Sequence, residues 1–132
     1  MNKPEITFYP NGQKKTEDHF IIDNGQLVHS RLDGPASQRW YKNGQKKREN
    51  YYVNGILHRD AGPALTIWYP NGVINYTQYV CNRILHRCDG PQFQCFDESG
   101  KLNYNQYYIM GKELFPKDLD EFKKMVKLRM FM

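Results

Sequence analysis

The sequence lacks most of the features that mark exported, membrane-spanning or catalytic proteins. Residues 1–4 do not lead into the apolar core of a signal peptide, and no apolar run approaches the length of a membrane span. The three cysteines are an odd number, which favours reduced thiols over a disulfide framework. We therefore predict an intracellular protein that is neither secreted nor held by a transmembrane segment.

Common catalytic motifs are also missing. The chain contains no glycine-rich phosphate loop, no Gly-x-Ser-x-Gly elbow and no His-Glu-x-x-His pair. Adjacent acidic residues such as those at 97–98 and 120–121 sit where a turn and a helix start are predicted. These absences predict a non-enzymatic protein with no cofactor and no small-molecule substrate.

Aromatic residues supply much of the apolar surface. The chain of 132 residues is 14% aromatic, with ten Tyr, although its hydrophobic content is only 39%. Such large flat side chains favour strands over helices, and the length corresponds to one domain. A formal charge of +5 permits contact with nucleic acid, anionic lipid or acidic proteins, and does not choose among them.

A 28-residue repeat organises most of the chain. The motif Trp-Tyr-Lys-Asn-Gly at 40–44 returns as Trp-Tyr-Pro-Asn-Gly at 68–72, 28 positions later. Further landmarks keep the same spacing, and the set comprises Trp40, Trp68 and Phe96; Gly44, Gly72 and Gly100; His58, Arg59, His86 and Arg87; and Gly62, Pro63, Gly90 and Pro91. They define units 8–39, 40–67, 68–95 and 96–115 within a repeat domain over 1–115.

Each unit is rich in turn residues, which predicts an all-β repeat fold. Pro-Asn-Gly and Asn-Gly sequences are typical of hairpins, and residues 74–80 have the composition of one strand. Because Asn82-Arg83 replaces Asn-Gly in the third unit, we expect Arg83 at positive φ or a changed turn type. The predicted architecture is an elongated, twisted antiparallel sheet of stacked β-hairpins.

The C-terminal segment 116–132 loses the turn pattern and gains a helical one. Leu119, Phe122 and Val126 recur at helical spacing, with acidic residues early and basic residues late in the segment. We predict a helix that caps the open edge of the last unit. The alternative is a dimer or partner contact made by Met125, Met130, Phe131 and Met132.

Aromatic residues at equivalent positions should stack into ladders along the sheet. One series is Phe8, Trp40, Trp68 and Phe96, and another is Tyr51, Tyr79 and Tyr107. Stacked hairpins need a shared buried stripe, so we expect the ladders to form the core. An exposed platform for an aromatic ligand is the alternative.

The repeated unit resembles the MORN repeat superfamily, in its longer variant found in large DNA viruses and in some antitoxin-like bacterial proteins. The pattern W-Y-x-N-G, then Y-x-x-N-G-x-L-H-R-x-x-G-P, carries this resemblance over about 8–115. The family implies a scaffold, with membrane or protein attachment for some members. The composition, rich in Tyr, Asn and Lys, suits a large DNA virus, which would place the protein in a host cell or virion.

The His-Arg pairs are the strongest candidates for chemistry. His58, Arg59, His86 and Arg87 could supply a base, a metal ligand or a phosphate contact, but they recur at the same place in successive units, which favours a structural loop network. His29 occupies the related place in the first unit. A Cys3His zinc site from Cys81, His86, Cys88 and Cys95 has the wrong spacing, and Cys81 and Cys95 replace apolar residues of the previous unit.

A basic cluster is the candidate partner site. It consists of Lys14, Lys15, Lys46, Lys47 and Arg48, which could bind phosphate on nucleic acid or lipid, or could simply keep a sheet surface solvated. Our principal hypothesis is a binding or scaffolding module for another protein or for a second copy. The alternative is recognition of phosphate-bearing partners through this cluster, and an antitoxin-like protein is a further possibility.

Overall fold

A computed structural model describes residues 3–130, and the side chains of residues 3–129. The strands are β1 Glu5–Phe8, β2 Lys14–Asp18, β3 Phe20–Asp23, β4 Gln26–His29, β5 Ser37–Trp40, β6 Lys46–Asn50, β7 Tyr52–Val53, β8 Ile56–Leu57, β9 Leu65–Trp68, β10 Ile74–Gln78, β11 Val80–Cys81, β12 Ile84–Leu85, β13 Phe93–Phe96, β14 Leu102–Ile109 and β15 Lys112–Leu114, followed by helix α1 Leu119–Met130. No helix in this part of the chain is both long and apolar enough to cross a membrane.

One antiparallel sheet forms the body of the molecule. Its strand order is β1-β2-β5-β6-β9-β10-β13-β14-β15, so each unit adds the next hairpin beside the previous one. Three small two-stranded ribbons, β3-β4, β7-β8 and β11-β12, accompany the hairpins. The predicted all-β repeat of stacked hairpins with a C-terminal helix is therefore confirmed.

The strand predicted over 74–80 is divided into two. Residues 74–78 belong to the main sheet as β10, whereas Val80–Cys81 belongs to a ribbon as β11. Tyr79 lies between them because its backbone bonds to Gln92, which accepts from the Tyr79 N–H and donates its side-chain amide to the Tyr79 carbonyl. The prediction of a continuous strand was wrong because it took the Tyr79 backbone to be paired within one ladder.

The ribbon turns place two successive residues in the left-handed region. Asn54 and Gly55 have φ of 52° and 77°, as a two-residue hairpin turn requires. Asn82 and Arg83 have φ of 49° and 69°, so the third unit keeps the same turn without its glycine. The expectation that Arg83 adopts positive φ is confirmed.

The fully buried apolar residues are few and mostly small. Ala36 and Ala64, directly after the Gly-Pro pairs, have no exposed surface. A core cluster lies at the C-terminal end, where Phe122 and Val126 of α1 pack against Ile109 and Leu114. The helix therefore covers the last strands of its own sheet, as a cap does.

Helix α1 begins three residues later than predicted. The Asp118 carboxylate accepts a hydrogen bond of 2.8 Å from the Glu121 N–H, which makes Asp118 the N-cap residue. Pro116 therefore precedes the helix. Of the residues proposed for a dimer contact, Met125 packs against the core cluster, and Phe131 and Met132 lie outside the described residues together with Met1 and Asn2.

The first aromatic ladder is less buried than we expected. Trp40, Trp68 and Phe96 are half-buried, and Phe8 is 60% exposed. The reason is what covers the rings: the ammonium group of Lys14 lies 5.1 Å from the centre of the Trp40 ring, and that of Lys46 lies 6.0 Å from Trp68. Flexible lysine side chains shield a ring only in part.

Candidate functional site

Hydrogen bonds between successive hairpin turns hold the units in register. The Tyr41 hydroxyl donates to the Trp68 carbonyl at 2.7 Å, and the Asn43 side-chain amide donates to the Pro70 carbonyl at 2.8 Å. In the same way, the side chains of Tyr9 and Asn11 donate to backbone carbonyls of the second unit, and those of Tyr69 and Asn71 donate to backbone carbonyls of the fourth. The landmark Tyr-x-Asn-Gly is thus both a turn sequence and the link to the next unit, and only its first role was evident from the sequence.

The second landmark is a cradle that encloses an arginine. The Arg59 guanidinium lies 3.9 Å from the centre of the Tyr51 ring and donates to the Pro63 carbonyl at 3.2 Å. A Cβ atom at Gly62 would meet Arg59 Cζ at 2.9 Å, so a larger residue there would force the guanidinium to move. The arginine of the His-Arg pair and the Gly-Pro pair that follows it therefore contact each other directly.

The same cradle occurs once in each of the first three units. Arg87 lies 4.0 Å from the Tyr79 ring centre and donates to the Pro91 carbonyl, with Gly90 behind it. In the first unit His19 occupies the place of the tyrosine, and the Arg31 Nη1 and His19 Nε2 atoms lie 3.1 Å apart. The second tyrosine series of the sequence therefore serves these arginines, except for Tyr107, which packs against Phe122 at a ring distance of 4.6 Å.

The two histidines of the His-Arg pairs accept hydrogen bonds from the following unit. The Asn82 N–H donates to His58 Nδ1 at 3.1 Å, and the Met110 N–H donates to His86 Nδ1 at 2.9 Å. In the first unit the Ser30 hydroxyl oxygen accepts the equivalent bond from Asn54 N–H. Each of these acceptors satisfies a backbone donor in a hairpin turn of the following unit: two of these turns lie in ribbons, and the turn at Met110 joins β14 to β15.

His29 does not occupy the position of these histidines, contrary to our prediction. It ends strand β4, where it pairs with Phe20 as Leu57 pairs with Tyr52 in the next unit. Its Nε2 atom lies 3.0 Å from the Asp18 carboxylate. The longer first ribbon shifts the alignment by one residue, so Ser30 is the true counterpart of His58.

One group of potential metal ligands lies between the second and third units. His58, Asp60 and Cys81 each bring one ligand atom within 4.8 Å of the others. However, a backbone N–H can only donate, so the bond from Asn82 keeps His58 Nδ1 unprotonated and leaves the ring proton on Nε2. That proton points to Asp60 at 2.9 Å, and a metal would have to displace it.

The four residues considered for a Cys3His zinc site are not brought together. Cys95 lies in β13 of the main sheet, whereas Cys81 lies in ribbon strand β11. In the part of the chain that the structure describes, Cys81, His86, Cys88 and Cys95 form no shared ligand group. All three cysteines are free thiols, and Cys88 is exposed.

The basic cluster divides into paired and unpaired cations. Lys14 pairs with Glu17, and Lys46 with Glu49, three positions along each strand. Within residues 3–130, the other members Lys15, Lys47 and Arg48 have no carboxylate in salt-bridge range. Lys15 and Lys47 instead lie 5.6 Å from the ring centres of Tyr9 and Tyr41.

Two carboxylates of β2 are held in their ionised form. Hydrogen bonds from His19 and Lys14 lower the pKa of Glu17. Burial works against ionisation of Asp18, but hydrogen bonds from Arg39 and His29 outweigh it, and the pKa of Asp18 is lowered as well. These charges act within the first unit, 8–39, and stabilise its fold rather than form a free acid-base pair.

The arginine cradles line a groove along the stack. One cavity of about 560 Å³ lies between the first and second cradles, and one of about 400 Å³ lies between the second and third. The two cavities share Arg59, Asp60 and Ala61. Leu32, whose side chain is 89% exposed, lines the larger cavity. We call these two cavities together the cradle groove.

Comparison with known proteins gives one family match. A family model described as a MORN repeat variant matches residues 1–21 and 36–54. These two segments contain the main-sheet hairpins β1-β2 and β5-β6. No curated protein and no solved structure matches the chain.

Proposed function

Since this chain is a MORN-repeat-like protein, we propose that it is a scaffolding module that binds another protein along the cradle groove. MORN repeats are generally associated with binding and scaffolding. The observation that carries the proposal is the groove itself, in which successive units present the same arginine, aromatic and glycine lining. A repeated lining fits an extended partner segment better than a compact substrate.

The exposed Leu32 at the groove supports a protein partner. An apolar side chain that is 89% exposed gains most when another protein covers it. Tyr51 and Arg59 in the same cavity are of the residue types that dominate protein interfaces. The groove thus combines an apolar anchor with fixed polar groups.

The test compares capture of partners by the tagged chain and by a Leu32→Glu variant. The matched control is Leu128→Glu, which places the same charge on a 65% exposed leucine of α1, away from the groove. We expect Leu32→Glu to lose partners that the wild type and Leu128→Glu both retain at high salt. Sedimentation of the wild type shows whether the partner is a second copy. Equal capture by both variants would contradict the groove as the binding surface.

Recognition of phosphate-bearing partners is the second candidate, and it is favoured by the unpaired cations of the basic cluster. Lys15, Lys47 and Arg48 lack carboxylate partners among residues 3–130, so a phosphate group could serve as their counter-ion. The test is binding to anionic vesicles and to duplex nucleic acid with Lys15→Glu and Lys47→Glu, against Lys124→Glu and Lys127→Glu on the helix. Only loss of salt-sensitive binding in the first pair would support this candidate.

A further inference from the structure

Arg59 differs from its two counterparts in one hydrogen bond. Arg31 Nε donates to the Asp33 carboxylate at 2.9 Å, and Arg87 Nε donates to the Asp89 carboxylate at 2.7 Å. In the middle unit the position of these aspartates is taken by Ala61. Among residues 3–130, no carboxylate lies in salt-bridge range of Arg59 and no acceptor bonds to its Nε.

The rest of the Arg59 cradle is fully built. The Tyr51 ring covers the guanidinium at 3.9 Å, the Pro63 carbonyl accepts from Nη1 at 3.2 Å, and a Cβ atom at Gly62 would meet Cζ at 2.9 Å. The guanidinium is therefore held in one orientation before any partner arrives. A fixed planar donor loses little further freedom when it binds an acceptor.

The open Nε lies on a residue that lines both cavities of the cradle groove. In the neighbouring units, the chain's own aspartates neutralise the arginines that border the groove. Arg59 is thus the one cradle arginine, among the described residues, whose charge is available to a molecule in the groove. A half-buried cation without a counter-ion attracts an anion more strongly than a solvated one does.

We propose that Arg59 is a docking site for a carboxylate side chain, Asp or Glu, of the protein that occupies the groove. This carboxylate takes the position that Asp33 and Asp89 hold beside the sister arginines. The proposal rests on the proposed function, since it states what the bound partner presents to the groove. A carboxylate fits better than a phosphate because Asp60, 89% exposed, carries a negative charge on the same wall. Its carboxylate is turned to His58 at 2.9 Å, and a doubly charged anion would be repelled more strongly.

The test follows the Nε–Hε resonance of Arg59 by NMR while sodium acetate is added at constant ionic strength. Ala61→Asp places a carboxylate of the chain itself beside Arg59 Nε, as Asp33 and Asp89 do beside the other two arginines, and it removes no cradle residue. Asp89→Ala is the converse variant, because it should open a second site at Arg87. We expect a saturable shift of Arg59 in the wild type, its loss in Ala61→Asp, and an added response of Arg87 in Asp89→Ala.

Three results would overturn the proposal: no saturable shift of Arg59, an equal shift in Ala61→Asp, or a response to inorganic phosphate but not to acetate. The dependence of partner capture on Leu32 separates this proposal from the function it rests on. If acetate causes no shift of Arg59 while partner capture still depends on Leu32, only the assignment of Arg59 is wrong. If acetate shifts Arg59 saturably while partner capture does not depend on Leu32, the carboxylate site stands and the groove is not the partner-binding surface.

Discussion

The guanidinium carbon of Arg59 lies 2.9 Å from the point where Gly62 would carry a Cβ atom. The same distance recurs between Arg31 and Gly34 and between Arg87 and Gly90, so the contact is a property of the repeat. It explains why the Gly-Pro pairs keep their spacing to the arginines. Substitution of these glycines should therefore disturb the cradle directly.

Gly62→Ala should lower the free energy of unfolding by about 2–4 kcal/mol, from steric overlap with Arg59 together with a φ of +115°. Two matched variants separate these causes. Gly90→Ala meets Arg87 without a positive φ, and Gly12→Ala has a φ of +87° with nothing within 4 Å. Urea unfolding of the three variants checks the prediction. If Gly90→Ala loses no stability and Gly62→Ala loses no more than Gly12→Ala, crowding by arginine is unimportant.

Tyr41→Phe should lower the free energy of unfolding by about 1 kcal/mol, because it removes the hydroxyl that donates to the Trp68 carbonyl. Tyr104→Phe is the control, since the Tyr104 side chain is 52% exposed and its hydroxyl has no hydrogen bond among the described residues. Thermal unfolding of both variants measures the difference. If Tyr104→Phe is as costly, the bond between turns contributes nothing specific.

Trp68→Ala should cost about 2–3 kcal/mol, below the 3–5 kcal/mol typical of a fully buried aromatic, because the ring is half-buried beneath Lys46. Phe8→Ala should cost under about 1 kcal/mol, since Phe8 is 60% exposed in the edge strand β1. Denaturant titration gives both values. A loss above 4 kcal/mol for Trp68→Ala would show that the lysine side chain seals the ring.

Stability should fall as the pH is lowered through the titration of Glu17 and Asp18. Both carboxyls have a lowered pKa in the folded state, so their contribution is complete above the unfolded value of about 4. It is lost as the pH falls through the lower folded values. Unfolding measured between pH 6 and pH 3 should show a smaller decline for Glu17→Gln and Asp18→Asn than for the wild type. Glu5→Gln, at an exposed site without an ion pair among residues 3–130, should decline as the wild type does.

The repeat spacing was sufficient to predict the sheet, because turn residues recur where hairpins must close. The spacing could not show that the chain leaves the sheet at Tyr79, since the bond to Gln92 joins residues 13 apart and has no local sequence pattern. Sequence reasoning identified Arg59 and Gly62 as landmarks but not as contacts. That contact depends on the path of the loop between them.

The basic cluster illustrates a second limit of the sequence. Counting charges cannot tell which lysines are neutralised, and the i, i+3 pairs of Lys14 and Lys46 lie in strands where bulges bring the partners together. The resemblance to viral and antitoxin-like proteins, the intracellular location and the identity of the partner stay predictions.

Hydrogen bonds between the turns of different units join residues 27 to 31 apart, which is one unit and no more. Through these bonds each unit therefore contacts only the units next to it. Excision of residues 40–67 would bring the first unit against the third, and Tyr9 would find the Trp68 carbonyl in place of that of Trp40. The length of such a molecule can then change in evolution by whole repeat units, and a version that lacks one unit should fold with all remaining hydrogen bonds between units intact.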